Sequence, residues 1–125
     1  MSVDIKSHSA VSSEKLRPGF YFFKARWCHY CKLATPIIEE VHANGRYGKY
    51  VHEISVGSED EEIRITPPQR VLTGKSFDEL HELFHVRGYP TLVMVSLKGE
   101  MTPYQGQRTA SEITRAIERQ DFFKE

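Results

Sequence analysis

Two cysteines, Cys28 and Cys31, stand three positions apart in a chain that has no others. A bridge between them closes a tiny loop, so it would constrain little of the unfolded chain and contribute little stability. Structural disulfides join distant segments; this spacing points instead to redox chemistry or to half of a metal site. An aromatic run leads into the pair and helical periodicity follows it, which places Cys28 at the start of a helix. The first helical turn leaves N–H groups unpaired and carries partial positive charge, and both favour a thiolate. Cys31 lies one turn further in, where its sulfur can face Cys28 while its own thiol is more buried. The predicted chemistry is thiol–disulfide exchange: Cys28 is the nucleophile, a mixed disulfide forms, and Cys31 resolves it. A cationic His29 beside Cys28 would tune the site further toward the thiolate.

The metal alternative needs two more ligands. His81 and His85, spaced i, i+4 on a predicted helix, complete a Cys2His2 set on paper. The gap between the two pairs far exceeds that of a small zinc module, and the chain has ample apolar residues for a core. The expectation is therefore no metal and no cofactor, with both histidines on a surface or half-buried helix face.

These residues must be held by a folded unit. The chain has 125 residues and 39% apolar content, which fits one domain, 1–125. Phe20-Tyr21-Phe22-Phe23, after the Pro18-Gly19 turn, reads as a buried strand. From Cys31 a helix runs to Asn44-Gly45, with Leu33, Ile37, Ile38 and Val41 on its inner face and Pro36 inside it. Tyr50 to Val56 alternates and reads as the next strand. Residues 57–75 look like an irregular surface excursion, with the acidic run Glu59-Asp60-Glu61-Glu62 read as solvated loop. Ser76 and Glu79 form a capping box ahead of the stripe Phe77, Leu80, Leu83 and Phe84, and Gly88 ends that helical region. Thr91–Leu97 and Glu100–Tyr104 make a hairpin around Lys98-Gly99. Thr109 and Glu112 suggest a second capping box before Ile113, Ala116 and Ile117. Val3 and Ile5 offer a short edge strand, and Ser12 to Leu16 a helical turn. The order predicts an α/β fold: a central mixed sheet with helices on both faces.

The segment Phe22-Phe23-Lys24-Ala25-Arg26-Trp27-Cys28-His29-Tyr30-Cys31-Lys32 resembles the active-site segment of thioredoxins and protein disulfide isomerase domains. Pro36 sits where that family carries a helix proline. Val86-Arg87-Gly88-Tyr89-Pro90-Thr91 resembles its cis-proline segment. Lys98-Gly99-Glu100 and Tyr104–Thr109 resemble its hairpin and the start of its last helix. The resemblance covers roughly residues 20–117 and implies a thioredoxin fold. It also implies a cis Tyr89–Pro90 bond beside the sulfurs, substrate pairing along the backbone of Tyr89, and a substrate groove flanked by Trp27; Tyr30, between the cysteines, either meets substrate or only covers the disulfide.

Two positions depart from the family pattern. The family carries a buried acid six residues before the first cysteine, where it helps to move the proton of the second; here that residue is Phe22. His29-Tyr30 replaces the residues between the cysteines of thioredoxins and isomerases, and predicts a more oxidising pair than thioredoxin's. Lys24 reads foremost as a solvated strand-end lysine. The competing reading is a cation on the buried side of the site.

The expected function is a thiol–disulfide oxidoreductase exchanging disulfides with protein substrates and an unidentified electron donor or acceptor. The other classes weighed are a non-catalytic peptide- or partner-binding module and a redox sensor. Acidic and basic side chains balance at 17 each, which gives no electrostatic reason for a nucleic-acid or anionic-membrane partner. No apolar run approaches the roughly 20 residues of a membrane span. Residues 1–17 lack the apolar core of a secretory signal, so a cytoplasmic monomer is expected.

Overall fold

Alternate residues of a strand point to opposite faces of its sheet, and the aromatic run builds both halves of the core this way. In the computed structural model, which describes residues 15–57 and 63–124, the run lies inside β1 (Gly19–Ala25). Phe20 and Phe22 enter one apolar cluster, Tyr21 and Phe23 the other. A strand buried on both faces needs cover on both. On the Phe20 face, α1 (His29–Ala43) contributes Ala34, Ile38 and Val41, and α3 (Ala110–Glu118) contributes Ile113 and Ile117. On the Tyr21 face, α2 (Phe77–Leu83) supplies Leu80, with Phe84 just beyond it.

The sheet has five strands in the order β3-β2-β1-β4-β5. Here β2 is Val51–Val56, β3 Arg64–Thr66, β4 Thr91–Val95 and β5 Met101–Pro103. β1 and β2 run parallel, joined through α1 and a short 3-10 turn at Gly48–Tyr50, and the other pairings are antiparallel. This is the mixed sheet that the element order predicts. At the start of β1 the chain needs glycine: Gly19 has φ +148°, and a Cβ there would lie 2.2 Å from the Tyr50 carbonyl oxygen. Among the described residues no helix is long and apolar enough to cross a membrane.

Several elements differ from their sequence reading. Leu33 is exposed, and the buried stripe of α1 is Cys31, Ala34, Ile38 and Val41. β2 is buried on both faces, so Glu53, which alternation sets on the other side from Tyr50, His52, Ile54 and Val56, lies inside the protein as well. The stretch taken as surface excursion contributes an edge strand, β3, and two buried side chains, Gln69 and Leu72. The Ser76–Glu79 capping box forms in full. At α3 only half of one does: Thr109 accepts from the Glu112 N–H, while the Glu112 carboxylate turns to Arg115 at 2.9 Å. α2 ends well before Gly88, because His85 takes a left-handed conformation at φ +55°. The Val86 N–H then returns to the His81 carbonyl at 2.8 Å. Lys15 and Leu16 are not helical. The possible strand at Val3 and Ile5, the rest of the turn from Ser12, and the acidic run at 59–62 lie outside the described residues.

Candidate active site

The sulfurs meet where β1 gives way to α1. Cys28 is the N-cap of α1, with φ −93° and ψ 114°, and its Sγ accepts the N–H of Cys31 at 3.1 Å. A cap normally offers oxygen to the orphan N–H groups of the first turn; here sulfur does so, and a thiolate is the stronger acceptor. The turn is fixed from behind, since the Cys28 N–H donates to the Ala25 carbonyl at 3.1 Å. Both cysteines are free thiols, 8% and 2% exposed for Cys28 and Cys31. With Ala25 and Val56 they form a small apolar cluster against which Tyr89, Phe77 and Ile63 pack. Burial pushes the Cys31 thiol up to about 12, and its hydrogen bond with Cys28 adds to the rise. A backbone hydrogen bond at Ala25 and the Lys24 ammonium pull it back in part.

The Tyr89–Pro90 bond is cis, and so is Thr66–Pro67. Tyr89 connects the sulfur cluster to α2. Its ring meets Trp27 edge-on at 5.6 Å between centroids, and its hydroxyl bonds to His81 Nε2. His81 Nδ1 lies 2.6 Å from the Phe77 carbonyl oxygen. A carbonyl only accepts, so Nδ1 carries the proton and Nε2 accepts from the tyrosine. His81 also stacks on Phe77 at 4.0 Å. Its two nitrogens are thereby occupied, and the left-handed turn at His85 breaks the one-face i, i+4 geometry that a metal pair needs. Among the described residues no group of three or more His, Cys, Asp or Glu side chains is arranged to hold a metal.

On the solvent side the rim is apolar. Trp27, Tyr30 and Leu33 are 58%, 65% and 58% exposed. His29, the first residue of α1, is exposed and meets Tyr30 edge-on at 5.8 Å. The structure thus brings Cys28, Cys31 and Tyr89 into one cluster, with Trp27 against the Tyr89 ring, Pro90 next to Tyr89 in the chain, and His29 and Tyr30 exposed at the start of α1.

Sequence reasoning passed over a charged cluster on the opposite side. Phe22, at the family's acid position, is register partner to Glu53 on β2. Glu53 is buried at 8% exposure. Its Oε1 accepts from Lys24 Nζ at 3.0 Å, and its Oε2 lies 2.7 Å from His42 Nδ1 on α1. Lys24 is therefore not a solvated strand-end lysine; it is folded inward over the Phe22 ring at 5.6 Å. The only sequence signal for Glu53 was a charge in the middle of an otherwise strand-like run.

A second buried polar network anchors the far end of β1. Gln69 Nε2 donates to the Tyr21 hydroxyl at 2.8 Å and to His52 Nδ1 at 3.0 Å. His52 Nε2 donates to the Pro18 carbonyl at 3.2 Å, and the Arg17 N–H donates to Gln69 Oε1 at 3.0 Å. Burial holds the His52 imidazole neutral, down to about 4, and raises the Tyr21 hydroxyl. This network ties the 67–74 stretch to the sheet.

No family model matches the chain. It is 32% identical over 97 residues to a protein disulfide-isomerase of Ricinus communis, an alignment covering 78% of this chain and 16% of that protein. With a probable nucleoredoxin 1 of Arabidopsis thaliana it is 36% identical over 94 residues, covering 68% and 16%. The chain thus spans about a sixth of the length of these relatives. Among solved structures, the exposed lipoprotein thioredoxin of Streptococcus pneumoniae superposes with TM-score 0.57 at 18% identity, covering 86% of this chain and 88% of that one. The first thioredoxin domain of mouse protein disulfide-isomerase A4 gives 0.55 at 21%, covering 98% and 77%. Fold and sequence agree with the paired thiols at the head of α1: this chain belongs to the thioredoxin superfamily, as a domain of the protein disulfide-isomerase-like kind.

Proposed function

We propose that this thiol–disulfide oxidoreductase domain exchanges disulfides with protein substrates, with Cys28 as the attacking sulfur and Cys31 as the resolver. The observation that carries the assignment is the N–H of Cys31 aimed at Cys28 Sγ at 3.1 Å on the N-cap of a 15-residue helix. Negative charge on Cys28 is met there by a hydrogen bond and by the helix dipole. Burial keeps Cys31 protonated until it is needed. In the reducing direction the Cys28 thiolate attacks one sulfur of a substrate disulfide, and the other substrate sulfur leaves as a thiolate. Cys31 then attacks Cys28 Sγ, the bond to substrate breaks, and the Cys28–Cys31 disulfide remains. Its proton goes to the departing substrate thiolate. Two electrons pass from protein to substrate, and the reverse sequence oxidises a substrate dithiol.

The exposed Trp27, Tyr30 and Leu33 give a protein partner an apolar rim around buried sulfurs. Tyr89 and Pro90 offer the backbone along which an extended segment can pair. His29, exposed beside Cys28, adds positive charge when protonated and so stabilises the reduced form. The pair is then more oxidising than thioredoxin's roughly −270 mV. Turnover of a disulfide-bonded protein such as insulin tests the activity, with Cys28→Ser as control; equal rates for the two would overturn it. Equilibration with glutathione buffers tests the tuning, and a thioredoxin-like potential would sink that part.

A further inference from the structure

The disulfide chemistry leaves one feature of the surface unused. A groove of about 1020 Å³ opens beside β3, on the face of the sheet that α2 covers. Ile65 and Thr66 of β3 line one wall, and the segment from Leu72 to Phe77 lines the other. Leu72 and Leu80, both buried, give it an apolar base. Its charged lining residues are Arg64, Lys75 and Asp78, which carry both signs. Apolar contact rather than net charge is therefore what it offers.

Two residues make the groove continuous with the sulfurs. Ile63 and Phe77 line it, and both pack against the cluster of Ala25, Cys28, Cys31 and Val56. β3 is also the last strand of its sheet, and among the described residues no strand pairs with its outer side. The outward N–H and C=O groups of such an edge are a template for an extended chain.

We propose that this groove is a substrate subsite: it takes an extended stretch of substrate polypeptide carrying an apolar side chain a few residues from the cysteine that reacts with Cys28. The proposal rests on the Cys28 reading above and names the kind of substrate that site selects. β3 has three residues, so its edge is ~10 Å long and an extended substrate covers it in about three residues. Ile63 and Phe77 stand between that edge and the sulfurs. The apolar side chain is therefore expected about three to six residues from the reacting cysteine.

The test uses reduced full-length protein in excess over peptides that each hold one cysteine, capped by an aryl thiol whose thiolate absorbs visible light. The Cys28 thiolate attacks the peptide sulfur, and the aryl thiolate leaves with the bonding pair. Cys31 then attacks Cys28 Sγ, its proton goes to the departing peptide thiolate, and the Cys28–Cys31 disulfide remains. Leucine or serine is placed at successive positions on either side of the peptide cysteine. The protein concentration that gives half-maximal aryl release is compared within each pair.

At the preferred spacing, leucine should lower that concentration about tenfold, the effect of burying one such side chain. Thr66 and Thr73 are exposed on the two walls. Thr66→Trp puts an indole into the groove and should erase the difference, and Thr73→Trp should do the same from the facing wall. In Cys31→Ser, a benzophenone side chain in place of Thr73 should crosslink on irradiation to the disulfide-held leucine peptide. Equal values for leucine and serine at every spacing overturn the proposal. So does a preference that both substitutions keep, or a crosslink only to the chain itself or to a second copy. A wild-type protein that releases no aryl thiolate from any peptide would instead refute the Cys28 reading beneath it.

Discussion

The N–H of Cys31 points at the sulfur of Cys28, 3.1 Å away, so one turn of helix makes one cysteine the hydrogen-bond acceptor of the other. The two thiols are thereby made unequal. Cys28 gains a donor and the helix N-terminus; Cys31 lies deeper, and burial drives it up to about 12. Brief alkylation of the reduced protein at neutral pH should therefore label Cys28 and spare Cys31, as read by peptide mass. Equal labelling of both would show that the asymmetry does not operate in solution.

His29 begins α1 on the exposed rim beside Cys28. A protonated imidazole there adds positive charge beside Cys28, and a neutral one adds none. His29→Ala should slow alkylation of Cys28 several-fold in mildly acidic buffer and much less in alkaline buffer. A ratio of wild-type to variant rates that stays flat with pH would assign all the tuning to the helix end.

Tyr89 donates its hydroxyl to His81, and this bond ties the Pro90 loop to α2. Tyr89→Phe leaves a half-buried imidazole nitrogen without its donor, at a cost of about 1 kcal/mol. Urea unfolding should show that loss, and KM for a protein substrate should rise more than kcat falls. Unchanged stability together with unchanged KM would mean that the bond holds nothing that matters to substrate.

The His52–Gln69 network predicts how stability depends on pH. Folded His52 is depressed to about 4, whereas in the unfolded chain it titrates near 6.5. Between these values the unfolded chain binds a proton that the folded chain refuses. Stability is therefore full above about 6.5 and falls as pH drops toward 4, by about 3 kcal/mol in all. Denaturant titrations at several pH values should show this slope in the wild type and a shallower one in His52→Gln. Parallel slopes would remove His52 as the cause.

What could be read from the residues was local. The Cys28–Cys31 spacing, the aromatic strand before it, the Ser76–Glu79 box and the Tyr89–Pro90 segment each carry their signal within a few positions. What could not be read depends on register and on which face meets which. Glu53 is buried because it pairs with Phe22 across two parallel strands joined by a long crossover, whereas alternation shows only that it lies on the other side from Tyr50, His52, Ile54 and Val56. Leu33 fits an apolar helical stripe by spacing, yet it is exposed, and the buried stripe begins instead at Cys31. Gln69 and Leu72 sit in a stretch without periodicity; their burial comes from long-range partners, Tyr21 and His52 for the former and the Tyr21-side cluster for the latter.

The central claim, attack by Cys28 and resolution by Cys31, is tested most directly by trapping. Cys31→Ser and Cys28→Ser are each reduced, mixed with a disulfide-bonded protein such as insulin, acid-quenched and weighed by intact mass spectrometry. The account predicts a lasting mixed disulfide between substrate and Cys28 in Cys31→Ser, and little or no adduct in Cys28→Ser. Equal adducts in the two variants, or adduct only in Cys28→Ser, would contradict it.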